Sequence, residues 1–290
     1  MSKRDIGERA FIGLQYLLPQ HVLSRAAGVL AECRIGAVRA GLIRMFMNRY
    51  AVDLSEAVRT DAGAYDSFND FFTRRLRVGA RPPDADPRAA LCPADGTLSQ
   101  AGPIAGDTLV QAKGIDYSTA ALLGGDAALA AEFAGGAFAT IYLAPHNYHR
   151  VHMPLAGTLR LARFVPGDLF SVNAATAAGV PGLFTRNERI ACVFDTASGP
   201  MAVALVGALI VGSMSLAWTG RVHGSGSGGR HVHDLPARDP FIALDRGAEL
   251  GWFNVGSTVV VLFGPQGPAL VDGLAPGRGL RVGERLALPR

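Results

Sequence analysis

Cysteine is scarce in this chain. The 290 residues hold three, Cys33, Cys92 and Cys192, too few and too scattered for a disulfide framework or a zinc-ligand spacing. A reducing compartment is expected, with the thiols acting as small buried hydrophobes. Charge is thin as well: 18% charged against 49% apolar is a greasy balance for a soluble protein. No internal repeat shows. No signal peptide is expected, because Glu8, Arg9 and Pro19 interrupt any apolar stretch after the basic Lys3 and Arg4. The uncharged run from Met201 to Trp218 is long enough to raise a transmembrane reading. Gly207, Gly212, Ser213 and the interspersed β-branched residues predict two buried strands joined by a turn instead. The Gly-x-Ser-x-Gly elbow of many serine hydrolases is missing too.

What charge there is lies mostly at the start. Residues 1–50 carry eight basic side chains against three acidic ones, a net +5, while the whole chain is +4. An anionic surface, rather than nucleic acid, is the partner this distribution suggests. The same stretch reads as helical. Phe11, Leu14, Leu17 and Leu18 share one side before Pro19. A second helix is expected from an N-cap at Ser24. Beyond it, Ile35, Val38, Leu42, Met45 and Phe46 form an apolar stripe, and Arg34, Arg39, Arg44 and Arg49 sweep around it at intervals of five. These helices either pack on the body of the protein or lie in a membrane interface; the pattern alone leaves both open.

A short helix over 66–77, ending in Arg74, Arg75 and Arg77, leads to a linker marked by Pro82, Pro83 and Pro87. The signals then turn to β. Strands are predicted at Phe138–Leu143, Thr158–Val165, Ile190–Phe194, Val203–Val211 and Thr258–Phe263, with a helix at Asp126–Phe133 and a mobile Gly/Ser loop at 224–229. The fold class is α+β, an N-terminal helical region over 1–60 followed by a mainly antiparallel β core over 61–290.

Three segments carry chemistry. Gly256-Ser257 puts a hydroxyl nucleophile after a glycine whose carbonyl is sterically open, at the mouth of the apolar strand Thr258–Phe263. Asp95, in Pro93-Ala94-Asp95-Gly96-Thr97, is either a turn aspartate capping its own backbone or a carboxylate that orients a histidine. His149 and His152 stand in Tyr148-His149-Arg150-Val151-His152-Met153-Pro154. With His146 they recur every three residues, a spacing that could suggest zinc. No Cys, Asp or Glu nearby completes such a site, Arg150 would repel the ion, and His231 and His233 adjoin a glycine-rich loop. No metal is therefore expected, and His146 is the histidine best read as structural.

In these segments the chain resembles the bacterial phosphatidylserine decarboxylases. Asp70-Phe71-Phe72-Thr73-Arg74-Arg75-Leu76, residues 165–173, Arg186-Asn187-Glu188-Arg189 and Val206-Gly207-Ala208 extend the likeness over nearly the whole chain. Val255-Gly256-Ser257-Thr258 stands where the family more often has Leu-Gly-Ser-Thr. The resemblance implies an Asp95–His152–Ser257 triad that first cuts its own backbone between Gly256 and Ser257. A 1–256 β chain and a 257–290 α chain would stay together as a heterodimer, with further dimerisation open. Ser257 would become a pyruvoyl cofactor that forms a Schiff base with the serine headgroup, so that phosphatidylserine yields carbon dioxide and phosphatidylethanolamine. His149 would handle substrate and protons. Residues 1–60 would be a membrane-docking region, and the protein a peripheral one on the cytoplasmic face of the cell membrane. Three rivals stand beside this reading: a serine hydrolase using the same triad without self-cleavage, a non-catalytic membrane-binding scaffold, and a pyruvoyl decarboxylase for a soluble amino acid.

Overall fold

A computed structural model describes residues 3–210, 213–222, 231–236, 241–254 and 257–290. The Gly/Ser stretch 224–229 and Gly256 lie outside the described residues. The chain begins with helices α1 (Lys3–Leu17), α2 (Gln20–Ala31) and α3 (Gly36–Tyr50). Pro19 divides the first two. It is also the N-cap of α2, its carbonyl accepting from Val22 and Leu23 N at 3.0 Å. The second helix thus starts five residues earlier than expected, and Ser24 sits inside it. Ser24 is buried, and its Oγ accepts from Ile210 N at 3.0 Å.

The burial of α1 and α2 is inverted relative to a helix packed on a core. Phe11, Leu14, Leu17, Val22, Val29 and Leu30 are exposed, Leu17 to 83%. Gln15, Gln20 and Ser24 are buried, with Ala31 and the partly buried Ile12 the apolar residues that turn inward. The glutamine amides are satisfied by loop backbone: Gln15 Oε1 accepts from Ser171 N at 2.7 Å and Gln20 Oε1 from Leu169 N at 2.6 Å. Polar pegs dock the helices, and the apolar side faces out.

The stripe expected on α3 divides. Ile35, Val38 and Met45 are exposed, while Ile43 is buried with Val52, Leu54, Tyr65 and Phe71 in a small cluster that runs across residue 60. Phe46 turns inward, with ring centroids 5.1, 6.1 and 5.8 Å from Phe68, Phe71 and Phe72. No helix among the described residues is long and apolar enough to cross a membrane.

Helix α4 spans only Phe68–Phe72 rather than 66–77. Ser67 caps it, its Oγ accepting from Asp70 N at 3.1 Å. The helix cannot continue because residues 75–77 pair elsewhere: Val58 N donates to Arg75 O and Arg77 N to Glu56 O, both at 2.9 Å.

From there the protein is mostly antiparallel sheet, as an α+β chain with its helices first. The principal strands are β1 (Gly96–Pro103), β2 (Ala137–Leu143), β3 (Arg150–His152), β4 (Gly157–Val165), β5 (Arg189–Thr196), β6 (Gly199–Val206), β7 (Met214–Leu216), β8 (Glu249–Phe253) and β9 (Ser257–Phe263). One large sheet runs in the order β4-β5-β6-β9-β2-β1, with short strands at both edges. A smaller sheet contains β7-β8-β3. The run 196–220 is thus two buried strands, although the first ends at Val206 rather than Val211. It starts early because Gly199 closes a tight hairpin against Thr196.

Strand β9 lies between β6 and β2 and alternates between two cores. Val259, Val261 and Phe263 pack with Cys92, Cys192, Val151 and Phe253. Val260 and Leu262 pack with Leu122, Phe133 and Phe184. Both faces are apolar, which is why the run reads without a polar alternation. Asn187 ties this sheet to the neighbouring loop. Its buried Nδ2 donates to Phe170 O and Gly207 O at 2.8 Å, and its Oδ1 accepts from Phe170 N at 3.0 Å. Asn187→Ala strips three bonds from buried backbone groups and is expected to cost about 3 kcal/mol, measurable as a lower urea midpoint with an unchanged slope.

Candidate active site

Several strand ends meet at one edge of the large sheet. Asp95 immediately precedes β1, Leu143 ends β2 and Ser257 opens β9, with Thr97 paired to Tyr142 and Ser257 to Leu143. Gly96 is required there, since a Cβ would run into the Tyr142 carbonyl oxygen. The smaller sheet brings in the histidines. Strand β3 pairs with β8, Arg150 opposite Trp252 and His152 opposite Glu249. Phe253 N donates to His149 O at 3.0 Å, and His152 N donates to Pro93 O at 2.8 Å. Backbone bonds thus gather segments 93–95, 149–152 and 253–254.

Ser257 is 1% exposed, and its Oγ has no hydrogen-bond partner among the described residues. His149 is fully buried. Its Nδ1 lies 2.8 Å from Asn147 O. A carbonyl can only accept, so Nδ1 carries the hydrogen and Nε2 the lone pair. That Nε2 is buried and has no partner among the described residues. The Phe72 ring lies 4.0 Å from the imidazole. Burial, reinforced by the Arg74 cation, pushes the His149 pKa down to about 3.

His152 has the same polarity. Its Nδ1 is 2.9 Å from Gly247 O, and its Nε2 is 3.1 Å from Tyr148 Oη, which donates to it. Burial lowers its pKa, and the Gly247 carbonyl opposes that shift. Both rings are therefore neutral, each with Nε2 as a lone-pair acceptor.

Asp95 stands close by in the chain path but is otherwise engaged. Arg81 grips its carboxylate, Nε at 2.9 and 3.0 Å and Nη2 at 2.5 Å, and Val282 N donates to it at 2.8 Å. Arg81 also pairs with Glu56 at 2.9 Å. The His152 ring nitrogens meet Gly247 and Tyr148 rather than Asp95. His146 is exposed, and His231 and His233 belong to the far edge beside β4.

Sequence reasoning passed over several of these groups. Arg81 lies in what reads as a proline linker. Tyr148 was quoted only as part of its motif. Arg74 is buried; its Nη2 donates to His146 O at 3.0 Å, and its Nη1 has no partner among the described residues. Asn254 is held from both sides, its Nδ2 donating to Ser213 Oγ at 2.9 Å and Ser215 Oγ at 3.1 Å, and its Oδ1 accepting from Asn69 at 3.2 Å. An Asn-x-x-Ser spacing gives no signal for that role.

A buried hydroxyl and two neutral imidazoles carried on linked strands suit acyl transfer within the chain. Comparison narrows that class. A family model described as phosphatidylserine decarboxylase matches residues 68–288, and a second, described as PSD, matches residues 10–51. The chain is 56% identical over 291 residues to a protein of Pseudomonas paraeruginosa, covering all of this chain and 99% of that one. It is 55% identical over 282 residues to one of Pseudomonas entomophila, covering 97% and 98%. A Bordetella petrii protein is 54% identical over 284 residues, covering 98% of each. All three are named phosphatidylserine decarboxylase proenzyme. The chain belongs to the phosphatidylserine decarboxylase family.

The depressed His149 pKa has a consequence for stability. The unfolded chain takes up a proton at the ordinary value of 6.5, whereas the folded site resists until about 3. Between these values the unfolded state binds more protons, so stability falls as pH drops through the window. His149→Asn, which has no proton to take up, should flatten that acid loss in melting temperatures recorded from pH 7 to pH 3.

Proposed function

We propose that this chain is a proenzyme that cuts itself between Gly256 and Ser257 and then decarboxylates phosphatidylserine to phosphatidylethanolamine at a membrane surface. One observation carries the reading: a Ser257 hydroxyl with no partner among the described residues opens the central strand, in a chain more than half identical, end to end, to phosphatidylserine decarboxylase proenzymes.

His152 Nε2 is assigned the proton of Ser257 Oγ, with Asp95 supporting that edge. The oxygen attacks the Gly256 carbonyl; the C–N bond breaks as the C–O bond forms, giving an ester. β-Elimination then leaves a carboxylate on Gly256 and dehydroalanine at 257, and hydration with loss of ammonia yields the ketone. The surroundings fit such a group, because Ser257 Oγ and His149 Nε2 are both buried and free of other partners among the described residues. The pyruvoyl so formed would supply the electron sink that loss of carbon dioxide from an amino acid requires. Residues 258–263 would keep it in place, since their pairs with β2 and β6 do not involve the severed bond. The same pairs support a lasting heterodimer of the two chains. His149 is assigned the relay of a proton to the substrate carbon, its lone-pair Nε2 first taking up a proton from solvent and then passing it on.

The inverted helices support a peripheral position on a membrane, and the cytoplasmic face is the side proposed. Their apolar sides point outward, and Arg25, Arg44 and Arg49 are exposed beside them. Each basic side chain near an anionic surface adds on the order of 1 kcal/mol. Family membership does not favour the serine hydrolase alternative.

Denaturing electrophoresis should show chains 1–256 and 257–290, the smaller one refractory to Edman degradation because it lacks an amine. Ser257→Ala should stay whole, His152→Ala and Asp95→Ala should cut slowly, and His149→Ala should cut yet release little carbon dioxide. A single chain in active enzyme would overturn the proposal. Docking is checked separately by vesicle flotation. Charge reversal at Arg39 and Arg44 should weaken binding to anionic vesicles more than to neutral ones, and high salt should release the wild type only in part.

A further inference from the structure

Glu188 is a buried acidic residue whose carboxylate has no partner among the described residues. Its residue is 7% exposed, and no hydrogen bond or ion pair to its side chain occurs among the described residues. Buried acids are normally paired.

Register places it in the same row as Ser257. Arg189 pairs with Val206, and Val206 with Thr258. One step back along these strands stand Glu188, Gly207 and Ser257, with Gly207 N donating to Glu188 O at 2.8 Å. Side chains alternate along a strand. Ala191 and Val193 face the core of Leu122 and Phe184, and Arg189 reaches the same way, donating to Leu122 O at 2.8 Å. Ile190, Cys192 and Phe194 face the other core, with Val259 and Val261. Glu188 and Ser257 both belong to this second face.

Gly207 stands between them without a side chain. A Cβ there would come within 3.6 Å of Leu169 Cδ2 and 3.9 Å of Met214 Cε, so apolar groups wall the space above it. Two strand spacings, on the order of 10 Å, separate the Glu188 and Ser257 backbones, a distance of the order that an extended glutamate side chain and a small headgroup span end to end. Helix α2 reaches this edge through Gln20 on Leu169 and Ser24 on Ile210.

The headgroup amine is an ammonium ion at neutral pH, and an ammonium ion has no lone pair for a ketone. Some group must take its proton. Burial keeps His149 and His152 from holding a proton at neutral pH, His152 Nε2 already faces the Tyr148 hydroxyl, and Arg81 occupies Asp95. Burial alone lifts the Glu188 carboxyl to about 7. Around it, Asp168 and Arg186 form their own contact at 3.8 Å, Arg189 points to the opposite face, and Gly207, Leu169 and Met214 bring no acid or base.

We propose that Glu188 binds the ammonium group of the substrate headgroup across Gly207 and accepts its proton, presenting the free amine to the carbonyl made from Ser257. This rests on the decarboxylase reading above. The N–H bond breaks, its electron pair stays on nitrogen, and the proton bonds to a carboxylate oxygen. The product amine takes the proton back on leaving, which restores the carboxylate.

The test is Glu188→Gln in the full-length, self-processing protein. It should cut into two chains like the wild type, yet lose about a hundredfold in kcat/KM for phosphatidylserine at pH 7. The wild-type rise of kcat/KM with pH through about 7 should disappear, leaving a rate that climbs only as the lipid ammonium itself loses its proton. Glu188→Asp should restore part of the rate and the ionisation. Infrared spectra of uncleaved Ser257→Ala should show a protonated carboxyl band that fades as pH rises through about 7 and is absent when Glu188→Gln is added. A processed Glu188→Gln enzyme with wild-type kcat/KM and pH profile would overturn the proposal, as would spectra without that band. If Glu188→Gln fails to process, Glu188→Asp and the spectra decide. A wild type that remains one chain and releases no carbon dioxide instead overturns the underlying reading, and this role with it.

Discussion

The connection between Phe253 and Ser257 is the constraint on which the rest depends. Phe253 is the last residue of β8 and pairs with Met214 in the smaller sheet. Ser257 is the first residue of β9 and pairs with Leu143 in the larger one. Three residues separate the last of one sheet from the first of the other, and both ends are pinned. His149 O holds Phe253 N, Ser213 O holds Asn254 N, and two ladders hold β9. A buried hydroxyl with no partner is costly. It persists here because the ladders over-determine its place. The histidines arrive with it, since the strand that delivers residue 253 is the one that pairs with β3.

The electrostatics follow from the same burial. The imidazoles of His149 and His152 are driven toward the neutral form, and the Glu188 carboxyl toward protonation. Groups whose environments move them in opposite directions divide acid from base roles at one pH. The two arginines of the site differ in kind. Arg81 is satisfied by Asp95 and Glu56. Arg74 spends its donors on the carbonyls of the loop that carries His149 and leaves one buried nitrogen free. The first locks the approach to β1. The second holds the histidine loop and keeps a positive charge next to a ring that must stay neutral.

Much of this was legible in the residues. Runs such as Thr258–Phe263 read as strands because β-branched residues outside a helical period have few alternatives, and their ends fell within a residue or two. Boundaries failed where long-range pairing overrode local preference. Helix α4 stops early because residues 75–77 bond to 56–58, and β6 starts early because of its hairpin. Ser24 has the chemistry of an N-cap, but its hydroxyl is used by Ile210, about 190 positions away. At the site, the motifs marked Asp95, His149, His152 and Ser257. The partners of those side chains were not legible, because Arg81, Tyr148 and Gly247 act through distances that no local spacing records. Glu188 was visible only as part of a run, and its place in the row of Ser257 depends on strand register.

The helices show why the site opens where it does. A helix that buries glutamines and a serine while exposing leucines and valines gains little from docking by the hydrophobic effect. Its hold on the body comes instead from pegs aimed at particular backbone groups, Ser171 N, Leu169 N and Ile210 N. Those groups belong to the loops on either side of Glu188 and Gly207. The apolar surface left outside has no protein to cover it among the described residues, and a bilayer interface is the solvent that suits it. In the proposed reading the same loops thus anchor the membrane-facing helices and frame the row that ends at Ser257. A lipid headgroup held at that surface needs to move only across the sheet edge to reach the reacting residue, while its acyl chains stay in the membrane.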